Sequence, residues 1–198
     1  IVTASADLEA AVDGSLIAIL TGNGEQCLAG SRILLQESIA DSFLEKFIAR
    51  MRAIRIGDPF EARTELGPMA FAAHQRRVLD YAAVAREEGA ELLCGGEVPS
   101  GCDRGYFVEP TAALVADNGL RVCQEEIFGP FATIQRFSTV EEAEGIANDS
   151  SYGLVSYVWA EHMPTIMRLS QSLRAGTVWV NTPLTRDLRA PFGGYKQS

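Results

Sequence analysis

Apolar residues recur along this chain in two rhythms, one helical and one strand-like, and the rhythms alternate. Apolar positions 8, 12, 16, 19 and 20 predict a first helix, with Asp7 placed to cap it and Gly22 and Gly24 to end it. Residues 32–36 read as a strand. A second helix is expected over 38–52, with Ser38 as cap and Ile39, Phe43, Phe47, Ile48 and Met51 on one face. Turns at 56–59 and 67–68 lead to a long helix over 71–88, stopped by Gly89. Residues 90–93 predict a short strand and 94–105 a surface loop. Residues 106–108 and 111–115 read as extended segments broken by Pro110. Strands over 131–137, 154–159 and 177–181 then alternate with helices over 140–148, capped by Thr139, and 164–172. This order implies an α/β fold with a mostly parallel sheet. No repeat or linker divides the chain, so residues 1–198 read as one domain.

Composition narrows the class of function. The apolar share is 47% and the charged share 22%, the balance of a soluble globular protein with a substantial core. The net charge of −9 makes nucleic acid and anionic membrane surfaces poor partners. No run approaches the ~20 apolar residues of a membrane span, and no signal peptide opens the chain. Cys27, Cys94, Cys102 and Cys123 are widely and irregularly spaced, without a CxxC pair. A zinc knuckle and a disulfide framework are therefore not expected, and a cytoplasmic setting is. His74 and His162 are the only histidines, so no metal site is expected. The chain opens at Ile1 on what reads as the end of a strand and stops within a glycine-rich loop, the pattern of an excised domain.

The candidate chemistry centres on Cys27, in Gly24-Glu25-Gln26-Cys27-Leu28-Ala29-Gly30-Ser31-Arg32. Small residues around it allow a tight bend and close approach to the sulfur. On these residues alone, Cys27 reads equally as a buried structural thiol and as a nucleophile. Glu126 and Phe128, in Glu125-Glu126-Ile127-Phe128-Gly129-Pro130, read alone as a solvated loop carboxylate and a core anchor. Arg77 reads alone as a solvated helix residue.

Five segments in order resemble the aldehyde dehydrogenase superfamily, over essentially the whole chain. They are the Cys27 segment, 125–130, 148–154 (Asn-Asp-Ser-Ser-Tyr-Gly-Leu), 175–181 (Ala-Gly-Thr-Val-Trp-Val-Asn) and 191–194 (Pro-Phe-Gly-Gly). The resemblance implies a three-layer catalytic domain, and NAD (or NADP) as cofactor. It implies that Cys27 attacks the aldehyde as thiolate, that hydride leaves to the cofactor, and that water hydrolyses the thioester. The N–H of Cys27 itself would be one oxyanion donor. By resemblance, Glu126 accepts hydrogen bonds from the nicotinamide ribose, Phe128 lies beside the nicotinamide, and Arg77 lies near the adenosine ribose. Phe192 resembles an aromatic residue of the substrate tunnel.

The family's general-base glutamate, oxyanion asparagine, main cofactor domain and oligomerisation strand are expected outside residues 1–198. These residues alone are therefore expected not to oxidise aldehydes, and the intact enzyme is expected to be a homo-oligomer. Residues 186–194, Arg-Asp-Leu-Arg-Ala-Pro-Phe-Gly-Gly, resemble the branch acting on 2-hydroxymuconic and 5-carboxymethyl-2-hydroxymuconic semialdehydes. Such substrates carry a carboxylate, which a guanidinium can bind bidentately. Arg186 is the candidate anchor, against a structural ion pair with Asp187. A betaine-aldehyde or general aliphatic aldehyde dehydrogenase is the alternative within the family. A thiol esterase and a non-catalytic assembly domain are the alternatives outside it.

Overall fold

Val2 is the seam of the sheet in the computed structural model, which describes all of residues 1–198. On one side of Val2 lie four strands, β1 (Arg32–Gln36), β2 (Glu91–Cys94), β3 (Thr111–Leu114) and β4 (Phe131–Phe137), in the order β1-β4-β3-β2. On the other lie β5 (Val155–Val158) and β6 (Thr177–Val180), a parallel pair. Val2 donates its N–H to Leu34 at 2.8 Å and accepts from Gln36 at 3.0 Å. Its neighbours close the other side: Thr3 donates to the Trp159 carbonyl at 3.0 Å, and Trp159 donates to Ile1 at 2.9 Å. The expected mostly parallel α/β sheet is present: β1–β4 and β4–β3 are parallel, and only β2 runs antiparallel.

Helices cover both faces, and strand alternation shows it. Ile33, Leu35, Ala112, Ala132 and Ile134 pack with α1 (Leu8–Leu20) and α2 (Glu37–Ala53). The intervening Ala113 and Phe131 pack instead with α3 (Ala72–Glu87). Leu34 and Phe137 pack with α5 (Val140–Asn148). β1 is buried at three successive residues because both of its faces are covered. The remaining helices are the short α4 (Arg121–Gln124) and α6 (Met163–Ser172). No helix is long and apolar enough to cross a membrane.

Several sequence expectations are corrected here. In α1 the expected apolar positions 8, 12, 16, 19 and 20 all pack on the core, and the buried face extends further, to the small residues 11, 14, 15 and 18. Gly14 is covered by Trp159, whose ring occupies the space beside it. α2 begins at Glu37, and its cap Gln36 makes no capping bond; its side chain instead accepts from the Ala4 N–H at 2.7 Å. Residues 106–108 form no strand. The Tyr106 and Phe107 carbonyls are taken instead by the Met69 N–H and the Gln75 amide. α4 has no counterpart in the expected elements. Asp7 and Thr139 do cap α1 and α5, accepting from Ala10 at 3.1 Å and from Glu142 at 3.2 Å.

Gly14→Ala is a sharp test of this packing. In an open helix the change would stabilise by about 1 kcal/mol. Here the new methyl would lie 2.1 Å from Trp159 Cζ2, so overpacking at roughly 1–3 kcal/mol should reverse the sign. Thermal unfolding should show a lowered Tm, and a raised Tm would contradict the placement of Trp159.

Candidate active site

The turn that carries Cys27 is built by three successive left-handed residues. Gly22, Asn23 and Gly24 have φ of 61°, 60° and 71°. They turn the chain out of α1 and expose Cys27 at the surface of a cavity. Ala29 donates to the Gln26 carbonyl at 3.1 Å and Gly30 to Ala18 at 3.0 Å, which closes the turn onto α1. Leu28 is buried, and the Tyr157 hydroxyl donates to its carbonyl at 2.8 Å. Burial, and secondarily the neighbouring Cys27, push the Tyr157 hydroxyl well above its ordinary range, so it stays a donor. The Cys27 N–H has no acceptor within the chain and is free to meet an oxyanion.

The loop at 125–130 forms the opposing wall. Its backbone meets the thiol turn at Gly24, where a Cβ would stand 2.3 Å from the Gly129 carbonyl oxygen. Phe128 is held at φ 64°, a region rare for a bulky residue and retained only when neighbours enforce it. His74, on α3, is the neighbour: its Nε2 lies 2.6 Å from the Phe128 carbonyl oxygen. A carbonyl only accepts, so Nε2 carries the proton there. The same Nε2 lies 3.5 Å from Glu25 of the thiol turn, so one imidazole touches both walls. Asn23 adds a second tie, accepting from the Gly67 N–H at 3.1 Å and donating to the Pro68 carbonyl at 3.0 Å.

The residues singled out in the sequence separate into two groups. Cys27, Glu126 and Phe128 line one cavity of about 390 Å³, with Tyr157 in the same wall. Glu126 is exposed, and its carboxylate has no hydrogen-bond or ion-pair partner, in contrast to the adjacent Glu125. Arg77 is not in this wall. It sits behind it and donates to the Glu126 carbonyl at 2.6 Å, so its contact is with the loop.

Arg186 and Phe192 also lie outside the cavity wall. They stack on each other, the guanidinium 4.9 Å from the ring centroid. The expected structural alternative for Arg186, a pair with Asp187, is absent, because Asp187 binds Arg189 at 2.8 Å. His74, Asn23 and Tyr157 were not legible as site residues. Each acts through a partner 44 or more residues away.

Residues 1–198 match the aldehyde dehydrogenase family throughout, and the chain belongs to it. It is 43% identical over 196 residues to 5-carboxymethyl-2-hydroxymuconate semialdehyde dehydrogenase of Escherichia coli, covering 96% of this chain and 42% of that one. It is 41% identical over 198 residues to mitochondrial aldehyde dehydrogenase of Homo sapiens, covering all of this chain and 38% of that one. The crystal structure of PnpE in complex with nicotinamide adenine dinucleotide superposes with a TM-score of 0.95 at 43% identity, covering 99% of this chain and 40% of that one. The chain thus spans about two fifths of its relatives' length.

Gly24→Ala should open the contact between the two walls. It adds a Cβ against the Gly129 backbone and forces an alanine to φ 71°. The expected loss is at least about 2 kcal/mol in chemical denaturation. Unchanged stability would mean the two loops do not pack as described.

Proposed function

We propose that the protein oxidises aldehydes to acids with NAD, and that residues 1–198 supply the nucleophile and one wall of the cofactor site. The observation that carries this reading is the shared cavity of Cys27, Glu126 and Phe128. The unpartnered Glu126 carboxylate suits a pair of ribose hydroxyls, and the half-exposed Phe128 ring offers an apolar face beside a nicotinamide. Cys27 as thiolate attacks the aldehyde carbon, forming a C–S bond while the carbonyl π electrons move onto oxygen. The free Cys27 N–H is placed to donate to that oxygen. Bound NAD supplies a hydride acceptor, and water releases the acid from the sulfur. Tyr157 and the Gln26 carbonyl hold the turn in register meanwhile.

A carboxylated semialdehyde is the proposed substrate class. The Escherichia coli relative, named for such a substrate, supports it. So does Arg186, whose guanidinium has no carboxylate partner within the chain and can accept one from a ligand.

Two variants of the full-length protein test these proposals. Cys27→Ser should lower kcat by about three orders of magnitude or more, followed as NADH formation. Retention of most turnover would remove the nucleophile. Arg186→Ala should raise KM about tenfold or more for a carboxylated semialdehyde and leave KM for a neutral aldehyde nearly unchanged. Equal changes on both substrates would remove the anchor.

A further inference from the structure

The tandem glutamates 125 and 126 both line the cavity but have opposite fates, and the difference points to a device in its wall. Glu125 is held from two sides. The Tyr81 hydroxyl donates to its Oε2 at 2.6 Å, and Arg121 Nε and Nη2 donate to Oε1 and Oε2 at 3.0 and 3.2 Å. Arg121, first of all, and then Tyr81 hold the Glu125 carboxyl down at about 2, so it remains ionised throughout the working pH range. The Arg121 backbone N–H is itself fixed by Glu88 Oε2 at 2.8 Å. The guanidinium groups of Arg77 and Arg121 lie 5.4 and 5.9 Å from the centroid of the Tyr81 ring.

His74, Arg77 and Tyr81 stand at i, i+3 and i+7 on α3, a spacing that puts them on one helix face. They reach the Phe128 carbonyl, the Glu126 carbonyl and the Glu125 carboxylate respectively. One rigid helix face therefore grips this loop at three residues, and every grip leaves the Glu126 carboxylate untouched. A free loop would have to order Glu126 on binding; a gripped loop has already lost that entropy.

We propose that Tyr81 and Arg121 are positioning residues for the cofactor: by latching Glu125 onto α3 and α4 they fix the loop so that the unpartnered Glu126 is the carboxylate left for the ribose. This rests on the reading of Glu126 as the ribose ligand. Arg77, expected from the sequence to lie near the adenosine ribose, belongs to the same latch through its contact with the Glu126 backbone.

The test is NAD affinity of the full-length protein, measured by calorimetry alongside thermal unfolding and aldehyde KM. Tyr81→Phe and Arg121→Gln should each raise Kd for NAD about three- to tenfold, with aldehyde KM and the rate of Cys27 alkylation unchanged. Arg121→Lys, which keeps the charge but loses the forked contact, should recover part of the affinity. A lowered Tm with unchanged Kd for NAD would mean the latch is structural only and would overturn the proposal. Glu126→Gln separates the two readings. If it weakens NAD while Tyr81→Phe and Arg121→Gln do not, the latch falls and Glu126 as ligand stands. If Glu126→Gln leaves Kd unchanged, the ribose role falls and the latch, as a device for it, falls with it.

Discussion

The site depends on one contact between backbones, the approach of Gly24 to Gly129. Two loops about a hundred residues apart in the chain are brought so close that no side chain fits between them. Their backbones define the two walls of the cavity, so the distance from the thiol to Glu126 is set by main chain. Main chain held by hydrogen bonds at both sides moves less than long side chains do, and a cavity walled by it keeps its lining groups in a fixed relation. The left-handed run Gly22-Asn23-Gly24 is the local cost of this approach, and Asn23 offsets part of it through its bonds to 67 and 68.

The sheet seam at Val2 serves the same end from another direction. It joins β5 to β1, and β5 delivers Tyr157 to the carbonyl next to Cys27. The Tyr157 ring stacks on Trp179 of β6 at 5.1 Å, so the support of the thiol turn extends across the smaller half of the sheet. The exposed turn that carries Cys27 is thereby held by the buried core on one side and by α3 on the other. Function sits on loops and rigidity comes from regular elements, a division that small α/β sites share.

Ion pairing commits some of the charged groups named above and leaves others free. Arg121 and Tyr81 absorb Glu125, Arg189 absorbs Asp187, and Arg168 pairs with Glu141 and Glu144. Glu126 and Arg186 are left without ionic partners. Surface pairs of this kind contribute little to stability. Their consequence here is which charges remain available to a ligand.

Much of the fold was legible in the chain. The alternating rhythms located all six strands and five of the six helices, because burial of an apolar stripe has a fixed period. Asp7 and Thr139 were readable as caps because capping is local. α4 was not, since four residues are too few to show a period. The burial of Gly14 in α1 was not legible either, because Trp159, a residue from the far end of the chain, packs against it. Family resemblance, and not residue type or local spacing, marked Cys27, Glu126 and Phe128 together, and the structure gathers these three around one cavity. Local sequence could not say that Arg77 holds a backbone, that His74 bridges two loops, or that of two adjacent glutamates only one is free. Those facts depend on which distant groups arrive beside them, and only the tertiary packing decides that.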